Sequence, residues 1–274
     1  MNKQPNIHTN RSLWALAAVF VLSLTACNEP APSPITGPTT IDYTLRWDTG
    51  QRVEAQDTGG WAVTNDQGYR VEVHKAFLIN YSAELVECLP ESTTQTTRWW
   101  RWLWPEQVAW AGHGDEEDNP SAVSISTVER LDSLQPVAFG QAKVEPLRYC
   151  NAHYLVARSD TGTQGLPTDI DLEGISLHIE GTFAADGAAP SPFTIHTGLA
   201  TAVLQDIYAQ GHMGDAAHTV ALDSGQGNTQ VDIHRSAETL FDGVDFATAD
   251  DRTLARSVLR NLHQNTQIHI TQPE

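Results

Sequence analysis

The sequence predicts a mainly β protein, an antiparallel β-sandwich with one α-helix near the C-terminus. Apolar and polar residues alternate along most of the chain, which is the period of a β-strand. Clusters of Gly, Asn, Asp and Pro separate the alternating segments and are typical of turns between strands. One segment near the C-terminus has the spacing of an amphipathic helix instead. Many short strands and one late helix favour a sandwich of packed sheets.

The first strands are predicted from alternation and turn residues. Apolar side chains occupy every second position from Ile41 to Trp47. The segment 61–64, the turn 65–68 and the segment 69–73 together predict a hairpin, because Asn65-Asp66-Gln67-Gly68 is turn chemistry. The second arm is expected to continue through Phe77 toward Val86. Later strands are predicted over 137–144, 150–157, 175–183, 193–203, 219–222, 231–234 and 268–270.

The helix is predicted over residues 250–264. Apolar residues recur with helical spacing, and acids precede Arg256 and Arg260, which agrees with the helix dipole. The apolar positions are Leu254, Ala255, Val258, Leu259 and Leu262. Residues 41–274 are expected to form a single β-sandwich domain.

The first residues of the chain predict export. Lys3 and Arg11 precede an apolar run, 13–24, that is shorter than the roughly 20 residues a membrane-spanning helix needs. A basic start and a short apolar run ending in small residues are typical of a signal peptide. The run closes with Leu24-Thr25-Ala26-Cys27, which resembles the lipobox of bacterial lipoproteins.

The resemblance implies cleavage of residues 1–26, diacylglycerol on the Cys27 thiol and acylation of the new amino group, palmitate included. Asn28 stands where many inner-membrane lipoproteins carry Asp, so the resemblance implies anchoring to the outer membrane, with the domain expected in the periplasm. The alternative is an ordinary secretory signal with a chance cysteine. Residues 27–40 are rich in proline and are predicted to form a tether.

Composition limits the partners of the protein. The formal net charge is −18, which argues against binding nucleic acid or anionic lipid by charge. With Cys27 lipidated, Cys88 and Cys150 remain, and an exported compartment is oxidising, so the pair predicts one disulfide. Two buried thiols, or two metal-binding thiolates, are the alternatives.

No sequence motif indicates an enzyme. Asp-Thr-Gly, the core of the aspartic-protease motif, begins at Asp48, Asp57 and Asp160. None of the three is preceded by the apolar pair that this motif needs, and Asp-Thr-Gly is also ordinary turn chemistry. Signatures of serine hydrolases, zinc proteases and phosphate-binding loops are absent. A hydrolase with a dispersed site stays a third alternative behind two non-enzymatic functions.

Two histidines are candidate metal ligands. If 175–183 and 193–197 form a hairpin centred on Gly187, His178 lies directly opposite His196 on the face away from the apolar side chains. Opposed residues have Cβ atoms about 4.5–5.5 Å apart, so the two imidazoles could share Zn²⁺ or Cu²⁺ with a third ligand. The alternative is two exposed histidines on a solvated sheet face.

A second candidate metal site is the loop that contains His212, Met213 and His218. Two imidazoles and a thioether suit copper better than magnesium or calcium. A plain polar loop is the alternative. The sequence therefore predicts a lipid-anchored binding module, with copper or zinc as the candidate metals.

The tryptophan-rich segment 98–105 carries the competing hypothesis. As a strand it places Trp99 on one face and Trp102 on the other, and both faces would be largely apolar. Exposed tryptophan beside arginine is typical of a docking surface, so the protein could be an accessory lipoprotein that docks on an envelope protein. Burial of one face in the core is the alternative.

Overall fold

A computed structural model describes residues 39–56, 59–87, 121–144, 148–207, 220–221 and 228–271. These residues belong to one compact unit, Thr36–Glu274. The elements in chain order are β1 (Thr39–Asp48), β2 (Val53–Ala55), β3 (Trp61–Thr64), β4 (Arg70–Glu87), β5 (Thr127–Arg130), β6 (Val137–Val144), β7 (Arg148–Val156), β8 (Leu177–Ala184), β9 (Ser191–Thr197), β10 (Thr201–Asp206), β11 (Val220–Ala221), β12 (Thr229–Ser236), α1 (Asp251–Gln264) and β13 (Gln267–Thr271).

The strands form two sheets, and the predicted β-rich fold with a single C-terminal helix is confirmed. The smaller sheet has the order β13-β12-β1-β6, and the larger runs β10-β7-β4-β3-β2, with β5, β8, β9 and β11 attached beside it. One core cluster contains apolar residues of both sheets, which is the packing of a β-sandwich. None of the helices that the structure describes is long and apolar enough to cross a membrane.

One pair of strands departs from the predicted antiparallel arrangement. β1 and β12 run parallel, with Ile41 opposite Thr229 and Asp48 opposite Ser236. Two parallel strands need a crossover between them, and here nearly the whole domain separates them along the chain. The alternation of apolar and polar residues within a strand indicates which face is buried. It carries no information about which distant strand lies beside it or in which direction that strand runs.

Strand β4 organises the larger sheet. Its first half pairs with β3 and β8, and its second half pairs with β7. A register shift between Val73 and Lys75 makes His74 a bulge, so Val73 and Leu78 face the main core while Phe77 and Ile79 join a second apolar cluster. A bulge inserts one extra residue and changes which side chains face which way.

Element boundaries agree closely with the predicted strands, with two exceptions. The segment predicted as one strand over 193–203 is divided into β9 and β10, with residues 198–200 between them. Strands β2 and β5 carry too little alternation to be predicted. Helix α1 begins after Asp250, whose side chain accepts a hydrogen bond from the Thr253 amide, and its apolar face is buried in the main core.

Candidate metal centre

His178 and His196 lie opposite each other in the hairpin of β8 and β9. The register pairs them directly, and the turn between the strands contains Gly187 at φ +74°. The two Nδ1 atoms are 3.0 Å apart, and the rings meet nearly at a right angle with centroids 5.3 Å apart. The predicted pairing is therefore confirmed, while a bound metal stays a prediction.

His178 is buried, with 3% of its surface exposed, so the alternative of two exposed histidines on a solvated sheet face is wrong for His178. Alternation places its side chain on the face away from Leu177 and Ile179, and Phe77 of the second apolar cluster lies beside it there. Phe77 is its paired residue in β4, and the centroids of the two rings are 6.3 Å apart. His196 is exposed, as expected. The pair therefore joins a buried imidazole to a solvent-accessible one.

Burial controls the protonation of His178. The pKa of His178 is lowered because burial disfavours the charged imidazolium, an effect that Glu180 only partly offsets. A neutral imidazole is the form that binds a metal ion. The apolar surroundings of His178 therefore favour its metal-binding state.

Glu180 sets the tautomer of His178. Its Oε1 atom lies 2.9 Å from His178 Nε2, and an ionised carboxylate only accepts hydrogen bonds, so Nε2 carries the proton. Neutral His178 then presents an unprotonated Nδ1 toward His196, which donates from its own Nδ1. A histidine whose second nitrogen donates to a carboxylate is the usual arrangement around protein-bound zinc.

The distance between the two Nδ1 atoms is close to what a shared ion needs. Tetrahedral Zn²⁺ with nitrogen ligands at about 2.0–2.1 Å holds those nitrogens about 3.4 Å apart. The observed separation is 3.0 Å, so the two nitrogens must move apart by about 0.4 Å to share one ion. Within the described ranges no three His, Cys, Asp or Glu side chains converge on one metal position.

Glu180 is the site residue that sequence reasoning missed. It lies two positions after His178 on the same strand, and strand periodicity alone places both side chains on one face. The sequence contains no comparable signal that Phe77 lies beside His178. This contact depends on the bulge at His74 and on the pairing of β4 with β8.

Most other predicted site residues lie outside the described residues. They are Cys27, Cys88, Trp99, Trp102, His212, Met213 and His218, and their assigned roles stay predictions. Cys150 lies in β7 and is disulfide-bonded. The residues that precede the two cysteines of the predicted disulfide, Glu87 and Tyr149, are paired across β4 and β7. The pairing of Cys88 with Cys150 stays a prediction.

Comparison with known proteins gives no family. The chain matches no protein-family model, and no curated protein matches it. Among solved structures, MbnP from Methylosinus trichosporium aligns over 86% of this chain and 99% of that chain, with 10% sequence identity and a TM-score of 0.33. A likeness at this level does not establish a shared fold or function.

Proposed function

We propose that the protein is a lipid-anchored, extracytoplasmic binding module for a transition-metal ion, Zn²⁺ or Cu²⁺, with His178 and His196 as protein ligands. The observation that carries the proposal is the direct approach of two imidazole nitrogens, one of them on a buried histidine. Imidazole nitrogen suits zinc and copper, whereas calcium and magnesium prefer oxygen ligands.

The combination of one buried and one exposed histidine favours binding and release over a structural role for the metal. Structural zinc sites are closed by four protein ligands, whereas sites that exchange ligands keep positions open. Here the core holds His178 in place, and the exposed His196 can move to admit or release the ion. The formal net charge of −18 would raise the concentration of cations near the domain.

The location in the proposal rests on the lipobox. Cys27 would carry the acyl chains, and each buried methylene adds about 0.8 kcal/mol to membrane binding, so several chains anchor the protein stably. The Pro-rich segment 27–40 would hold the domain away from the bilayer surface. The metal would then be bound at a membrane surface outside the cytoplasm.

Thermal unfolding of the detergent-solubilised full-length protein, titrated with Zn²⁺ or Cu²⁺, tests the proposal. A ligand at 100 times its Kd stabilises the folded state by about 2.7 kcal/mol, so the melting temperature should rise with metal concentration. His196→Ala, which removes an exposed side chain, should reduce this rise. His178→Ala combined with His196→Ala should reduce it at least as much.

His74→Ala is the matched control, because His74 is an exposed histidine on neighbouring β4 that contacts no second histidine ring among the described residues. This variant should keep the full metal-induced rise. A rise of wild-type size in both His196→Ala and the double variant would overturn the proposed site.

A further inference from the structure

The smaller sheet carries another pair of histidines on its outer face. His234 in β12 and His269 in β13 are diagonal neighbours, because His234 is paired with Gln267 and His269 with Asp232. Their ring centroids are 4.8 Å apart, and the rings meet at 86°. The inward neighbours Ile268 and Ile270 are buried, so the two imidazoles lie on the polar side of the sheet.

Asp48 orients His234 as Glu180 orients His178. The carboxylate at the end of β1 lies 3.2 Å from His234 Nδ1, and it accepts the hydrogen bond, so Nδ1 carries the proton when His234 is neutral. The unprotonated nitrogen is then Nε2. The parallel pairing of β1 with β12, which puts Asp48 opposite Ser236, produces this contact.

The surrounding charges do not oppose a cation at this face. Arg46 is the paired residue of His234 in β1, and its Nε lies 2.7 Å from Asp232 Oδ1. Asp232 is also the paired residue of His269. Asp48 is well exposed, so the described part of this face carries two carboxylates against one guanidinium around the histidine pair.

We infer that His234 and His269 form a second transition-metal site, with Asp48 as a positioning residue. The site takes Zn²⁺ or Cu²⁺ through one imidazole nitrogen of each histidine. It lies on the other sheet from the His178–His196 pair and shares no residue with it. Because both of its histidines are partly exposed, it binds metal more weakly than the pair that includes buried His178.

Equilibrium dialysis of the full-length protein against Zn²⁺, followed by metal analysis, tests the second site. Bound zinc per chain is compared between wild type and variants, so any metal held elsewhere cancels. His234→Ala with His269→Ala should bind one ion fewer than wild type, and His74→Ala should bind the same number. Wild-type stoichiometry in the His234/His269 variant would overturn the inference.

The same measurement distinguishes failure of the proposed function from failure of this inference. If only the His178/His196 variant loses an ion, the inference is wrong and the proposed function stands. If only the His234/His269 variant loses one, the proposed site is wrong and the second site stands. Circular dichroism of each metal-free variant verifies that the fold is kept.

The Kd for metal at the second site tests the positioning role of Asp48. Asp48→Asn keeps the size of the side chain and removes its charge, and loss of such a partner typically lowers metal affinity 10- to 100-fold. The variant should therefore show a higher Kd at the second site, with unchanged Kd at the first site and an unchanged melting temperature without metal. An unchanged Kd at the second site would contradict this role.

Discussion

Glu129 is a carboxylate buried between the two sheets, and four donors satisfy it. Arg235 reaches both of its oxygens at 2.5 and 2.7 Å, and Trp47 and Asn80 each donate one further hydrogen bond at 3.0 Å. The Arg235 guanidinium also lies 4.5 Å from the centre of the Trp47 ring. Glu129 belongs to the larger sheet, whereas Arg235 and Trp47 belong to the smaller one. The network therefore joins the two layers of the sandwich.

Breaking this buried ion pair should reduce the free energy of unfolding. Arg235 and Glu129 have side-chain exposures of 0% and 1%, and removal of one partner leaves an uncompensated charge, which typically costs about 3–5 kcal/mol. Arg235→Met and Glu129→Gln should each reduce the free energy of unfolding by that order in urea denaturation. The double variant should lose less than the sum, because it buries no unpaired charge. Strictly additive losses would contradict the coupling.

Burial of a charged or titratable side chain by distant parts of the chain is not predictable from a single sequence. Glu129 and Arg235 occupy positions at which a charged residue predicts exposure, because buried charges are rare. A single sequence therefore predicts neither strand β5 nor the burial of Arg235. His178 was paired correctly from the symmetry of its hairpin around Gly187. Its burial was not predicted, because Phe77, which lies beside it, comes from another part of the chain.

At the scale of elements, helix α1 depends on its first turn. The Asp250 carboxylate accepts a 2.7 Å hydrogen bond from the Thr253 amide. Hydrogen bonds from Thr253 lower the pKa of Asp250 below its ordinary value of 3.8. A group whose pKa is lower in the folded protein contributes stability above its unfolded pKa and loses that contribution as the pH falls through the folded one.

Asp250→Ala should therefore destabilise the protein in a pH-dependent way. Its melting temperature should lie below that of wild type at about pH 6, and the difference should shrink as the pH approaches about 3, because protonated Asp250 is a weaker cap. Asp251→Ala is the matched control, since Asp251 lies in the same first turn and does not form the cap. A difference that stayed constant over this pH range would argue against the ionised cap.

Elements with local signals were predicted well, and pairings between distant segments were not. Helix α1 and the hairpin of β3 and β4 depend on turn residues, caps and periodicity within about 20 neighbouring residues. The parallel contact of β1 with β12 and the bulge at His74 depend on the whole sheet. The His234–His269 contact follows from such a distant pairing, which is why the sequence did not reveal it.

At the scale of the whole molecule, the two sheets keep the two histidine pairs apart. The His178–His196 pair lies in the larger sheet and the His234–His269 pair in the smaller one. The main core and the Glu129 network hold the sheets together, so metal binding at one pair need not disturb the other. In the proposed account, Cys27 and the tether keep this two-sheet domain at a membrane surface, where it binds metal outside the cytoplasm.

The most direct test of the central claim is an anomalous difference map at the zinc edge, from crystals of the protein grown with Zn²⁺. We expect a peak about 2.0–2.1 Å from Nδ1 of both His178 and His196, with Nε2 of His178 still bonded to Glu180. A zinc-containing crystal without a peak between the two Nδ1 atoms, in which the rings keep their direct 3.0 Å contact, would contradict it.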